Sequence, residues 1–171
     1  MHRFFWLAMA IACDGKTVID TGPPNLNPTD DESDCPEGNP PEIISLTCTN
    51  SGIRTIQETG EEAPTLTVTG ELIDKDGALD KFIAELYVDA EFDGVISESA
   101  ELLRTTYRAN VGDCRATSDT VNYVIFFRGF GPAYKSTTYE WGLTLEDATG
   151  EVAENVVIEC TTPNEDGTGD P

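Results

Sequence analysis

The stretch Leu66-Thr67-Val68-Thr69-Gly70-Glu71-Leu72-Ile73 alternates apolar and polar side chains over most of its length. Successive residues of a strand point to opposite faces of a sheet, so a period of two predicts a half-buried β-strand. Asp74-Lys75-Asp76-Gly77 follows it with turn chemistry. The same texture recurs outward from this stretch in both directions. Upstream, Ile43-Ile44-Ser45-Leu46-Thr47-Cys48 alternates after its first residue. Downstream, Thr120-Val121-Asn122-Tyr123-Val124-Ile125-Phe126-Phe127 is the most β-prone run of the chain and is expected to form a central strand. Thr137-Thr138-Tyr139-Glu140-Trp141-Gly142-Leu143-Thr144-Leu145 alternates again, Ala148-Thr149-Gly150 makes a turn, and residues 152–160 supply a last strand.

The runs between these are less decided. Leu79, Phe82, Ile83 and Leu86 fall at helical spacing, whereas Phe82, Ala84, Leu86 and Val88 alternate as a strand does. Strands on both sides, with no long loops between, favour the strand over the helix. Residues 92–96 read as a short strand around Asp93-Gly94, residues 100–104 as a helical turn, and residues 105–111 as extended chain. About seven short strands with turns between them and no helix–strand alternation predict an all-β fold, an antiparallel sandwich.

Two segments carry a resemblance. Glu85-Leu86-Tyr87-Val88-Asp89-Ala90-Glu91 resembles a strand and turn of bacterial immunoglobulin-like domains. Leu143-Thr144-Leu145-Glu146-Asp147-Ala148-Thr149-Gly150, followed by Val156-Val157-Ile158, resembles their closing hairpin. The resemblance covers residues 42–163. It implies a single antiparallel immunoglobulin-like β-sandwich of about seven strands, preceded by a disordered tether. It also offers Tyr139 as a tyrosine corner, its hydroxyl bonded to nearby backbone. The antibody-type Cys…Trp…Cys order is absent, because Trp141 follows Cys114, and Trp141 is expected in the core.

The N-terminus is of another kind. Met1-His2-Arg3-Phe4-Phe5-Trp6-Leu7-Ala8-Met9-Ala10-Ile11-Ala12-Cys13 places one cation before an apolar run that ends in small residues. That run is too short to cross a hydrocarbon core of ~30 Å as a helix, and its order is that of an export signal over residues 1–12. Ala10-Ile11-Ala12-Cys13 resembles the lipobox of bacterial lipoproteins, with Ala10 where the commonest pattern has Leu. The resemblance implies that Cys13 becomes the mature N-terminus and carries the lipid. Ala10-x-Ala12 also suits ordinary signal removal, and an apolar strand or core helix is a third reading. Lipidation of Cys13 would leave Cys35, Cys48, Cys114 and Cys160, an even set suited to disulfides. Four cysteines allow three connectivities. First and last strands are often neighbours in a sandwich, which favours Cys48–Cys160 and leaves Cys35 with Cys114.

Residues 13–41 are polar, acidic and interrupted by Gly22-Pro23-Pro24, Asn27-Pro28 and Asn39-Pro40-Pro41, which predicts a flexible tether. Residues 164–171 read as a disordered acidic tail.

Composition narrows the function. With 32 acidic and 10 basic residues the chain carries a formal charge of -22, so nucleic acid is excluded as a partner, as is electrostatic attraction to anionic headgroups. The only histidine is His2, inside the signal, so histidine-based catalysis and imidazole metal sites are closed to the mature chain. Paired-carboxylate hydrolysis needs no histidine and stays open. Asp74, Asp76 and Asp80 surround a glycine turn and resemble the start of a weak calcium loop, against a plain Asp-Gly turn. Phe130 and Tyr134, beside Gly129-Phe130-Gly131-Pro132, are candidates for a recognition surface. The expected role is non-catalytic: a lipid-anchored cell-envelope protein presenting a β-sandwich for adhesion, scaffolding or binding of a protein or glycan. The alternatives are a secreted carboxylate-dependent, glycosidase-like hydrolase and a weakly calcium-binding structural module of an envelope assembly.

Overall fold

Strand β2 (Glu62–Ile73) forms around the alternating stretch, with Leu66, Val68 and Leu72 buried and Thr67, Thr69 and Glu71 on the opposite face. The computed structural model describes residues 38–90, 92, 94, 102–109, 115–128 and 135–169. Cys13, Cys35, Cys114, Phe130, Tyr134, the export signal and the tether up to residue 37 lie outside the described residues, as do residues 170 and 171. Around β2 stand β1 (Glu42–Thr55), β3 (Lys81–Val88), β4 (Leu102–Ala109), β5 (Ser118–Phe126), β6 (Thr138–Asp147) and β7 (Val156–Thr161). No helix occurs among the described residues.

The strands form two sheets, one ordered β1-β2-β5 and the other β4-β3-β6-β7, with every pairing antiparallel. Consecutive strands β2 and β3 lie in different sheets, and each pairs with a later strand, β5 and β6 respectively. The result is a two-sheet antiparallel arrangement of seven strands, with the fourth strand beside the third. The sheets are not closed into a barrel.

The core lies between them. Leu66, Val68 and Leu72 of β2 meet Leu86 of β3 and Trp141, Leu143 and Leu145 of β6, with Val121, Tyr123 and Ile125 from β5. Each fully buried aliphatic side chain contributes about 1.5–3 kcal/mol relative to exposure, so this interface is the main source of stability. Tyr123 spans the two sheets, its hydroxyl donating to the Ala84 carbonyl at 3.1 Å. Gly70 allows close approach at the centre. A Cβ there would stand 2.5 Å from Leu143 Cδ2 and 3.0 Å from Val121 Cγ2, both on buried side chains.

Sequence and structure differ at instructive places. The run around Phe82–Val88 is a strand, because it pairs with β4 on one side and β6 on the other. Leu102, Leu103 and Arg104 are also extended, whereas local pattern suggested a helical turn; hydrogen bonding to β3 overrides the helix propensity of Leu and Arg. Strand β5 is an edge strand, and the central one in its sheet is β2. The correction has a physical basis, since β-propensity reports side-chain packing, and Val121, Tyr123 and Ile125 are buried whether or not the outer backbone edge is paired. Residues 163–169 form a turn held by Asn164 N–H to Thr168 O at 2.8 Å, and they reach β1 where Asn50 Nδ2 donates to Gly169 O at 2.9 Å. Local Asp166–Thr168 and Ser136–Asn164 bonds fix this acidic segment without an apolar cluster of its own.

The first and last strands meet along one side of the sandwich, where Cys48 of β1 is bonded to Cys160 of β7 with Cα atoms 6.2 Å apart. The bond ties together positions 112 residues apart in sequence.

Candidate functional site

Aspartates at strand ends shape the loops of this sandwich. Asp74 directly follows β2 and is 2 % exposed; its carboxylate accepts the Asp76 N–H at 2.7 Å and the Ala78 N–H at 3.1 Å. Asp147, at the end of β6, accepts the Thr149 N–H at 2.8 Å and the Glu151 N–H at 3.0 Å with one oxygen. Asp89, just after β3, accepts the Gly94 N–H at 2.9 Å. Short acidic side chains thus replace the missing ladder partners where strands turn.

The three carboxylates considered for calcium behave in the same way. Asp76 accepts the Asn39 N–H at 2.6 Å, while Asp80 accepts the Arg115 and Ala116 N–H groups at 2.6 and 3.3 Å. Each points to a different backbone segment. Among the described residues, no group of three Asp, Glu, Cys or His side chains is placed to hold a metal ion.

A different constellation is built at the end of the four-stranded sheet. Antiparallel register sets Glu140 of β6 directly opposite Glu159 of β7. The ladder extends by one residue on the other side, where Asp89 N–H donates to Glu140 O at 2.9 Å. Glu140 and Glu159 therefore stand side by side on the outer face of the sheet, whereas Asp89, next in the row, is buried with its carboxylate accepting the Gly94 N–H. Tyr139 and Trp141, flanking Glu140, point into the core by the alternation of the strand. Thr138 and Thr161 continue the outer face beside this row, their hydroxyls 2.9 Å apart.

Over this end sits Phe92. It is 62 % exposed, yet its ring stacks on Tyr139 with centroids 5.0 Å apart and an interplanar angle of 23°. Its φ of 57° lies in the left-handed region, where a bulky side chain is a genuine outlier costing on the order of 1–3 kcal/mol. Phe92, Tyr139, Thr138, Asp89, Glu140 and Glu159 enclose an open depression of about 320 Å³, close to the lower end of small-ligand sites. No basic residue is among its described lining.

Neither Glu140 nor Glu159 has a cation or hydrogen-bond donor on its carboxylate among the described residues. Like charges directly opposite on neighbouring strands are destabilising. Glu140 and Glu159 gave no signal in the sequence, because their convergence depends on pairing between β6 and β7. Phe92 gave no periodic signal.

Elsewhere, burial pushes Tyr123 up to about 12 by excluding water from its phenolate. Tyr87 is also raised to about 12, first by burial and then by its hydrogen bond to Glu85, which disfavours a second anion. Neither faces the depression. No protein-family model, characterised protein or solved structure matches this chain.

Proposed function

We propose that this chain is an exported, lipid-anchored, non-catalytic module that presents its sandwich at the cell envelope and receives a ligand in the depression beneath Phe92. The single observation that carries the binding role is Phe92 itself. A large aromatic ring is held 62 % exposed in an unfavourable backbone conformation, stacked on a second ring and beside a cavity, which is how a recognition residue is presented. Export is supported by the disulfide between the first and last strands, since such bonds persist in oxidising compartments. Attachment through a lipid on Cys13 is supported by residues 10–13. Among the described residues no helix is long and apolar enough to cross a membrane.

The test is a titration of fluorescently labelled protein onto intact cells of the host that makes it. A saturable component that Phe92→Ala removes, with the fold intact by circular dichroism, is expected. Equal binding by both proteins would contradict the role given to the depression.

One observation favours a second reading. Glu140 and Glu159 lie directly opposite each other on neighbouring antiparallel strands, and paired carboxyl groups are what retaining glycosidases use. The Glu140–Glu159 pair would then be nucleophile and acid. A panel of aryl glycosides separates the readings: turnover that disappears in Glu140→Gln would replace the binding module with a hydrolase.

A further inference from the structure

We infer that two copies of this chain join along the free edge of β5, each β5 pairing antiparallel with the other about a two-fold axis. This edge belongs to the three-stranded sheet and shares no residue with the Phe92 depression.

The edge is open and its phase is fixed. Phe127 N–H donates to Pro64 O at 2.9 Å, and Asp74 N–H donates to Thr117 O at 2.9 Å. Backbone groups of successive strand residues point to opposite sides, so the odd-numbered residues of β5 bond β2. Ser118, Thr120, Asn122, Val124 and Phe126 therefore aim their N–H and C=O groups at the free edge. The Thr120 N–H is held by the Asp119 carboxylate at 2.8 Å. Among the described residues no bond reaches the other N–H groups of this set or any of its carbonyls.

The remaining edges are blunted. Bulges, charges, proline and short length are the usual means of keeping an exposed edge from pairing. Strand β1 has two breaks of register and is tied by the disulfide to β7, which is six residues long. Strand β4 carries Arg104 and Arg108 and has a break in its register with β3. In contrast, β5 runs nine residues in unbroken register with β2 and contains no proline, glycine or cation. Such an edge is a template for strand addition.

Charge decides the occupant. The strand bears one charged side chain, Asp119, which is already paired with Arg108 of β4. On its outer face Thr120, Asn122, Val124 and Phe126 stand beside Glu71, Thr69, Thr67 and Thr65 of β2, so neutral residues predominate. A basic partner finds no free carboxylate on β5 to bond. A chain of net charge -22 repels its own copies elsewhere, and this neutral edge is where they approach with least repulsion. Antiparallel self-pairing is also its own two-fold complement, the commonest closed symmetry of homo-oligomers. Centred on Asn122, it sets Asn122 opposite Asn122, Thr120 opposite Val124 and Ser118 opposite Phe126. Every residue facing the edge then has a partner, and Asp119 falls opposite Ile125 rather than a second acid. Asn122 Oδ1 accepts the Thr69 hydroxyl at 2.8 Å, which leaves the side-chain amide donors to reach across the axis.

The experiment is sedimentation velocity of the full chain from low micromolar to submillimolar concentration, with amide hydrogen exchange followed by NMR at both limits. A dimer is expected at the upper limit, with exchange at Ser118, Asn122, Val124 and Phe126 slowing as it forms. Val124→Pro removes one outward N–H and no bond to β2, so the circular dichroism should persist while dimerisation weakens about thirtyfold or more. Asn122→Lys sets like charges opposite each other across the axis and should weaken it about fivefold at low salt, and less as salt rises. Thr47→Lys adds the same charge to the same face on β1, away from the axis, and should leave affinity within about twofold. If Val124→Pro does not fold, the contrast between the two lysine variants carries the decision. A monomer at every concentration would overturn the inference, as would a dimer that Asn122→Lys and Thr47→Lys affect equally. Slow exchange at the four amides in the monomer would overturn it by showing the edge covered within one chain. Growth beyond the dimer would overturn the two-fold pairing in favour of open-ended strand addition.

Discussion

Replacing Cys48 and Cys160 with alanine tests how this sandwich is held closed. The bond joins residues 112 apart, so cutting it frees almost the whole folded unit from a loop constraint. In the chain-entropy account a loop of that size restricts the unfolded chain by about 4.7 kcal/mol at room temperature. That is a large share of the 5–15 kcal/mol typical of a domain. At the usual urea sensitivity for this size, the midpoint should fall by roughly 2 M. The melting temperature should fall by roughly 15 °C. The slope of the urea transition should rise as well, because an uncrosslinked chain exposes more surface when unfolded. Urea denaturation followed by tryptophan fluorescence is a suitable assay, since Trp141 is buried beside this region at 1 % exposure. A midpoint shift below about 0.5 M with an unchanged slope would refute the reasoning. It would mean that β1 and β7 are held together by packing alone.

Other perturbations follow from the same geometry. Asp74→Ala leaves the Asp76 and Ala78 N–H groups without their acceptor and should cost roughly 2–3 kcal/mol in urea denaturation, while millimolar calcium should not shift the melting temperature of the native chain. Gly70→Ala drives a methyl against Leu143 and Val121 and should destabilise by about 1–3 kcal/mol by the same assay, with Leu143→Ala in combination recovering part of the loss. Tyr123 is neutral in the folded protein up to about 12 but ionises near 10 when unfolded, so its contribution is fully present below pH 10 and is lost as pH rises toward 12. Unfolding free energies from urea denaturation between those limits should therefore fall at up to about 1.4 kcal/mol per pH unit from this residue, and Tyr123→Phe should flatten the decline.

The alternating runs at residues 66–73 and 137–145 were legible because one face of each strand is buried and the other wet, which writes the fold into the side-chain order. The strand at Lys81–Val88 was harder to read. Tyr87 is buried on what would otherwise be its outer face, so apolar residues accumulate on both faces and blur the period. Leu102–Arg104 misled for the opposite reason, since nothing local prevents a helix and only the partner strand decides. Strand order was beyond reach: the edge position of β5 depends on where the chain crosses between sheets. The site shows the same division. Asp74, Asp76 and Asp80 are close in sequence and drew attention, yet each caps a different piece of backbone. Glu140 and Glu159 are distant in sequence, and only the register of β6 and β7 brings them together. Phe92 meets Tyr139 through a ring contact no spacing rule anticipates.

The most direct test of an exported, disulfide-closed and lipid-anchored sandwich is the intact mass of the protein recovered from membranes of its native host. The account predicts a chain beginning at Cys13, heavier by a diacylglycerol unit and lacking the thiol hydrogens of Cys48 and Cys160. An unmodified Cys13 in the soluble fraction, or free thiols at Cys48 and Cys160, would contradict it.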